Sequence, residues 1–268
     1  MELYELRQKP HLSASSIGDY IDCGMLYKFG RVDRLPREFV ADAMQFGTVI
    51  HKVLAEYYMA KMIGDKMMLK DIHESFKIHW HETAEGRDDI QYAKGKDFET
   101  LLMNGIDLLT AWYCKLSDEN YRVLAIEEAF SFDIPGIPVG VIGAIDLIEE
   151  SGDSIVITDF KTTGRAYGRD EIDNNMQMTV YQLAAKANGF ADREILLRFD
   201  CLIKTMKPKF ETYYTVRTEV DEKRLIKKIH QVWDGISKGV FIPNDTSWKH
   251  NNCSYRKVCD EWFLEGGK

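Results

Sequence analysis

The sequence predicts an α/β domain whose core runs helix, three strands, helix, strand. Three observations carry that expectation. Apolar residues recur at helical spacing from Phe98 through Leu101, Leu102, Ile106 and Leu109 to Trp112. Three short stretches rich in β-branched residues follow, at 121–134, 138–149 and 154–161, parted by Pro135-Gly136 and by Ser151-Gly152-Asp153, which reads as a three-strand meander. A helical pattern over 172–188 closes at Asn188-Gly189, as a C-cap does, and strands near 194–204 and 211–217 come after it.

The flanking elements follow from the same rules. Ser13 or Ser15 caps a helix that runs through Ile17, Tyr20, Ile21 and Leu26. A second helix follows Gly47, with Val49, Ile50, Val53, Leu54 and Tyr57 or Tyr58 on its apolar side. Residues 61–95 are mixed and polar and read as a mobile helical insertion. The acidic start Glu219, Asp221, Glu222 opens a last helix that buries Leu225, Ile226, Ile229, Val232 and Trp233. No repeat, low-complexity tract or Pro/Gly/Ser-rich linker divides the chain, so residues 1–268 read as one domain.

Composition narrows the function. The chain carries 43 acidic against 35 basic residues, a net charge of −8, which argues against coating nucleic acid through bulk charge and leaves room for a local basic groove. With 45% hydrophobic residues and 29% charged, it is an ordinary soluble globular sequence. The opening MELYELRQKP lacks the basic-then-apolar order of a signal peptide, and no stretch has the roughly 18 apolar residues of a membrane span. A cytoplasmic protein without a membrane partner is expected. Five cysteines are an odd number for a disulfide framework. Cys114, on the apolar side of its helix, and Cys201, in a strand, are expected to be buried small hydrophobes.

The chemistry gathers at the end of the apolar strand Ile155-Val156-Ile157, where Asp159 and Lys161 are two apart and so share a face. The preceding strand carries another acid, Asp146, at the end of an apolar run. If 151–153 is the turn, the two strands are antiparallel neighbours, with Asp146 expected nearer the turn than Asp159. Two carboxylates suit Mg²⁺ or Mn²⁺, hard ions that take oxygen ligands and keep waters for a phosphate to displace. A lysine beside them orients or deprotonates the attacking water, or steadies charge on phosphorus. Asp221-Glu222-Lys223 has a similar spacing but opens a charged helix with no strand behind it.

Several motifs in order resemble the RecB-like branch of the PD-(D/E)XK nuclease superfamily. Leu12-Ser13-Ala14-Ser15-Ser16-Ile17 with Cys23 is similar to its N-terminal LSxSxL…C pattern, and Phe46 to His51 to its GxxxH helix. Gly143-Ala144-Ile145-Asp146 resembles the GxxD strand, Asp159-Phe160-Lys161-Thr162 the DxKT core, and Gln177-Met178-Thr179-Val180-Tyr181 the QxxxY helix. The resemblance implies a restriction-endonuclease-like core, αβββαβ, with a mixed central sheet flanked by helices and with helical N-terminal and inserted segments. It implies that His51, Asp146 and Asp159 hold the metal, that Lys161 orients the nucleophile, and that Gln177 and Tyr181 line the site. A small residue at Gly47 lets the histidine helix approach the sheet. Glu127 and Glu128 stand where related nucleases carry an acid. Alternation puts them on opposite faces, and Glu128 is the candidate.

The same resemblance bears on the C-terminal segment, 241–268. Cys253 and Cys259 match the second and third positions of a CxxC-x5-C motif, with Cys23 as the distant cysteine and His250 in the first position. Such a set holds a [4Fe–4S] cluster or Zn²⁺ and staples this segment near Cys23. Basic residues suited to DNA phosphates are Lys28, Arg31, Arg34 and Arg37, interleaved with Tyr27 and Phe29, then Lys204, Lys207 and Lys209, and above all Arg165 and Arg169, close behind Lys161. The implied function is a metal-dependent DNA exonuclease acting on ends or single strands in recombination, repair or phage-like replication, with a helicase or recombinase as partner. A CRISPR-adaptation-type nuclease, or a non-catalytic DNA-binding module of a helicase–nuclease complex, is the alternative.

Overall fold

The computed structural model describes residues 2–116 and 121–264. The chain opens with α1 (Leu3–Leu6), β1 (His11–Leu12), α2 (Ala14–Asp22), α3 (Gly24–Tyr27) and a π-helical turn at Lys28–Val32. Next come β2 (Val40–Ala41), α4 (Asp42–Met62), α5 (Leu69–Ala84), β3 (Ile90–Gln91) and α6 (Phe98–Tyr113). The meander is β4 (Arg122–Phe132), β5 (Gly140–Ser151) and β6 (Ser154–Thr163). After it run α7 (Arg169–Asp173), α8 (Met176–Ala185), β7 (Glu194–Ile203), β8 (Lys209–Thr215), α9 (Glu219–Ser237) and α10 (Arg256–Leu264). The predicted core order, from α6 to β7, is therefore present, in a mixed six-stranded sheet with helices on both faces.

The sheet's pairing makes room for a site. β5 pairs along one edge with antiparallel β4, from Val141 to Glu150. Its other edge is shared by two strands. β6 pairs antiparallel with Leu147 to Ser151, and β1 pairs parallel with Gly140 and Val141. Residues 142–146 of β5 are thus left without a ladder partner on that edge, and the sheet is open there. β6 continues the sheet through parallel β7, and β7 through antiparallel β8.

Period-two alternation loads both faces of the sheet. Leu197, Phe199, Cys201 and Ile203 of β7 pack with Ile17 of α2, Met178 and Ala184 of α8, and Leu225 and Ile229 of α9. Leu202, Leu147 and Phe160 point the other way, into a layer built from Phe46 and Leu54 of α4, Phe76 and Trp80 of α5, and Leu109 and Trp112 of α6. On that second side Arg198 is buried against Glu149 (2.7 Å) and Asp200 (3.2 Å).

Several sequence expectations change. The segment read as a mobile insertion contributes α5, whose Ile72, Phe76 and Trp80 are fully buried, so this helix is part of the core. The helix expected after Gly47 begins five residues earlier, at Asp42, whose carboxylate accepts from Ala43 N (2.6 Å) and Ala93 N (3.1 Å). The helix expected over 172–188 is broken, because Asn175 turns its side-chain oxygen back to the amides of Gln177 and Met178 and caps α8. Ser13 caps the first helix through Ser16 N (3.1 Å), but that helix stops at Cys23, and Ile21 is exposed on its outer side. Cys114 sits at the C-cap of α6 and is exposed, not buried; Cys201 is buried.

The C-terminal segment crosses the N-terminal helices at Gly24. Gly24 N donates to Ile242 O (2.8 Å), and a Cβ there would lie 2.5 Å from Ile242 N, so only glycine allows the approach. Beyond the crossing, Asn244 donates to Asp22 O (2.7 Å), and Lys249 pairs with Asp19 (3.1 Å) and Asp22 (3.3 Å). Residues 265–268 of the segment lie outside the described residues.

Candidate metal centre and active site

The candidate site forms in the gap between β1 and β6. The turn at Gly152-Asp153 follows the pair Ser151–Ser154, so Asp146 and Asp159 stand equally far from it, contrary to the sequence expectation. They face one another just beyond the last ladder pair, Leu147–Thr158. Asp146 then replaces a ladder carbonyl with its own carboxylate: Oδ2 accepts from Phe160 N at 2.8 Å. That bond sets the aspartate's direction and lets the strands part. Phe160, between Asp159 and Lys161, points to the opposite face, stacks on Tyr58 (5.7 Å) and meets the edge of His51 (5.9 Å). An added Cβ at Gly47 would come 3.4 Å from Thr162 Oγ1, which shows how closely α4 lies on β6. His51 therefore reaches the gap from the α4 side, and its Nδ1 lies 3.5 Å from Asp146 Oδ2.

From the other side α8 supplies Gln177 and Tyr181, one turn apart. The four polar groups close a ring. Lys161 Nζ lies 2.6 Å from Asp159 Oδ2 and donates to Gln177 Oε1 at 2.9 Å. Gln177 Nε2 donates to Tyr181 OH at 2.8 Å, and that hydroxyl donates to Asp159 Oδ1 at 3.3 Å. Tyr181 is held from behind by the edge of Phe130 (6.0 Å), which itself lies over Gly143, where a Cβ would collide with the ring.

One acid was misassigned by alternation. Glu127, not Glu128, turns toward Asp146. Ile126 pairs with Leu147 and Glu128 with Ile145, which leaves Glu127 opposite Asp146. Glu127 has a left-handed backbone, φ 50°, rare for a non-glycine residue. Across it the strand exchanges faces: Ile126 packs with the α4–α6 layer, whereas Phe130, four residues on, packs with α8 and α9. A period-two reading has no signal for such a break.

The donor set fits a divalent cation. Among the described residues, the group of metal-capable side chains whose ligand atoms all lie within 4.8 Å of one another is His51, Glu127 and Asp146. Asp159 stands beside them, held in the ring by Lys161 and Tyr181. Burial and the neighbouring Asp146 charge push the carboxyls of Glu127 and Asp159 above their ordinary range. Burial works against protonated His51, but the hydrogen bond and charge of Asp146 outweigh it and raise the imidazole above its usual value. Burial likewise opposes a charged Lys161, and Asp159 more than restores it. The site has acid in excess of its own cations, the condition a bound cation relieves.

The remaining sequence candidates lie elsewhere. Arg165 pairs with Glu171 (2.9 Å) and Arg169 with Asp173 (2.7 Å), both on the exposed surface and outside the cavity over the carboxylates. Cys23, Cys253, Cys259 and His250 line one small cavity between the chain's two ends. Burial raises the thiols of Cys253 and Cys259, and His250 Nε2 is 2.6 Å from Arg256 Nη1.

The decisive comparison is with sequence families. The profile of the PD-(D/E)XK nuclease superfamily matches residues 11–260. The chain belongs to that superfamily. Two phage proteins are similar along nearly their whole length: the Gene 69 protein of Mycobacterium phage D29, 24% identical over 93% of this chain and 96% of the relative, and that of Mycobacterium phage L5, 25% identical with the same coverage. Among solved structures, a candidate exonuclease from Eubacterium rectale superposes with a TM-score of 0.55 at 11% identity, covering 91% of this chain and 88% of its own, a likeness of fold. Members of the superfamily generally use divalent metals, and in this member His51, Glu127 and Asp146 form a group whose ligand atoms are close enough to hold one.

Proposed function

We propose that this nuclease hydrolyses DNA phosphodiester bonds with Mg²⁺ or Mn²⁺ and acts as an exonuclease on DNA ends or single strands. The observation that carries the reading is the meeting of the metal-capable set, His51, Glu127 and Asp146, with the ring of Asp159, Lys161, Gln177 and Tyr181 at one opening of the sheet. A bound divalent ion supplies Lewis acidity to the phosphate oxygen and lowers the pKa of a coordinated water. An imidazole ligand favours Mn²⁺ over Mg²⁺. Asp159 would offer a second aspartate to an ion held by His51, Glu127 and Asp146. Lys161, kept as an ammonium by Asp159, orients the water and balances charge on phosphorus; it is a donor and not the base. Gln177 and Tyr181 fix the lysine and Asp159 in position.

The test is cleavage of end-labelled single- and double-stranded DNA, with Mn²⁺, with Mg²⁺ and with EDTA. Asp159→Ala and Lys161→Ala are expected to abolish metal-dependent cleavage with the far-UV spectrum unchanged. Undiminished cleavage by either variant overturns the assignment. The release of mononucleotides from one labelled end separates an exonuclease from an endonuclease. A [4Fe–4S] cluster, or Zn²⁺, on Cys23, Cys253 and Cys259 with His250 belongs to the same proposal. Its support is the cavity these four share. The Nε2 lone pair of His250 faces Arg256, so the three thiols are the better ligands. The visible spectrum and the iron and zinc content of anaerobically purified protein test it.

A further inference from the structure

On the far side of α8 from Gln177 and Tyr181 lies a buried cation that neither the metal-capable set nor the ring uses. Arg217 follows β8, an edge strand of the sheet, and is only 8% exposed. Its guanidinium makes five hydrogen bonds, one for each N–H it carries. Nε donates to Thr179 Oγ1 (3.0 Å), Nη1 to Thr215 Oγ1 (2.7 Å) and Val216 O (3.0 Å), and Nη2 to Ile172 O (2.9 Å) and Asn175 O (3.1 Å). All five acceptors are neutral oxygens. Asp173 and Asp221 act on the charge only from farther away, and burial lowers its pKa below the usual arginine value. A buried charge is tolerated where its hydrogen bonds are complete, and a lysine, with three donors on a single atom, cannot complete these.

The bonds gather on the segment that aims the ring. Ile172 lies in the last turn of α7, Asn175 is the N-cap of α8, and Thr179 ends the first turn of α8. Asn175 is thereby held twice: its carbonyl accepts from Arg217, and its side-chain oxygen accepts from the amides of Gln177 and Met178 that it caps. Thr179 stands between Gln177 and Tyr181 in sequence. Residues two apart on a helix do not share a face, so Arg217 holds α8 from the side opposite the ring. The grip is returned, since Gln182 Nε2 donates to Arg217 O (3.2 Å). We propose that Arg217 is a positioning residue of the active site, fixing the start of α8 against β8 so that Gln177 meets Lys161 and Tyr181 meets Asp159. This rests on the nuclease reading and adds to it a residue that touches none of the reacting groups.

Single-turnover cleavage in Mn²⁺ and DNA binding in EDTA, both measured where each variant is fully folded, separate positioning from mere support. Arg217→Lys keeps the charge and loses the fork; it is expected to slow cleavage at least about tenfold and leave the DNA Kd within about twofold of wild type. Thr179→Val deletes one acceptor and is expected to slow cleavage by about threefold, with Thr179→Ser recovering the rate. In a protein that already carries Gln177→Ala and Tyr181→Phe, adding Arg217→Lys is expected to cost less than about twofold, because the groups it positions are gone. The full loss in that background, an unchanged rate in Arg217→Lys, or a rate that falls in step with DNA affinity overturns the inference. If Arg217→Lys does not fold, equal rates for Thr179→Val and Thr179→Ser overturn it. Hydrogen exchange, which needs no cleavage, tells the failures of the two readings apart. Amides 177–181 are expected to exchange at least about tenfold faster in Arg217→Lys, or about threefold faster in Thr179→Val, while those of α6 keep their rates. Such exchange in a protein that never cleaves DNA refutes the nuclease function alone, and cleavage with unchanged exchange refutes the positioning role alone.

Discussion

Tyr181→Phe removes one oxygen atom from the ring and leaves its shape. The hydroxyl it deletes accepts from Gln177 Nε2 at 2.8 Å and donates to Asp159 Oδ1 at 3.3 Å, and both Tyr181 and Asp159 are almost wholly buried, at 3% and 1% exposure. A neutral hydrogen bond contributes about 1 kcal/mol and one to a charged group about 1.5–3 kcal/mol, the long 3.3 Å contact standing at the lower end. The phenyl ring recovers part of this because no hydroxyl needs desolvation. The expected net loss is about 1.5–2.5 kcal/mol, which shifts a urea midpoint down by roughly 0.5–1 M. Cleavage should suffer as well, since Gln177 loses the group that aims its oxygen at Lys161. A tenfold fall in single-turnover rate requires only about 1.4 kcal/mol of lost orientation. Urea unfolding and metal-dependent cleavage, measured on the same preparation, check both figures. A variant with the wild-type midpoint and the wild-type rate would refute the ring as a positioning device, and a loss above about 4 kcal/mol would show that Tyr181 is simply core.

Other substitutions probe the corrected assignments. Glu127→Gln should weaken Mn²⁺ binding by about 10–100-fold in a calorimetric titration, whereas Glu128→Gln, one residue along, should leave it unchanged. Gly24→Ala forces a methyl against the backbone of Ile242 and should cost about 1–3 kcal/mol, seen as faster proteolysis of the C-terminal segment. At pH 8 a maleimide should label exposed Cys114 at once and spare Cys201, whose thiol is buried and pushed up to about 12, hence protonated. Labelling of Cys201 at the rate of Cys114 would contradict the packing of β7 against α8 and α9.

The sequence alone carried the core order and the chemistry of its strand ends. Alternation and turn residues are local signals, so β4 to β6, α6 and the pairing of Asp159 with Lys161 on one face were legible from residues a few positions apart. Helix ends were less legible where a side chain intervened, as with Asn175, which cuts the expected helix in two. The buried role of α5 was hidden because its apolar residues are few and are diluted by charge, and only the layer formed with α4 and α6 shows what they cover.

What tertiary structure decided was which groups share a space. The edge of β5 is divided between β1 and β6, strands more than 140 positions apart in sequence, and the gap between them admits His51 from one layer and Tyr181 from the other. The left-handed backbone at Glu127 reverses the face of a strand, a change that depends on packing at both ends and leaves no mark in periodicity. What an arginine can hold is equally a matter of neighbours: Arg165 and Arg217 look alike in sequence, and only the fold gives the first a carboxylate and the second five neutral oxygens. Local periodicity specifies elements because it is set by backbone geometry. Ligand sets and charge balance are sums over distant residues, and they exist only once the chain has closed.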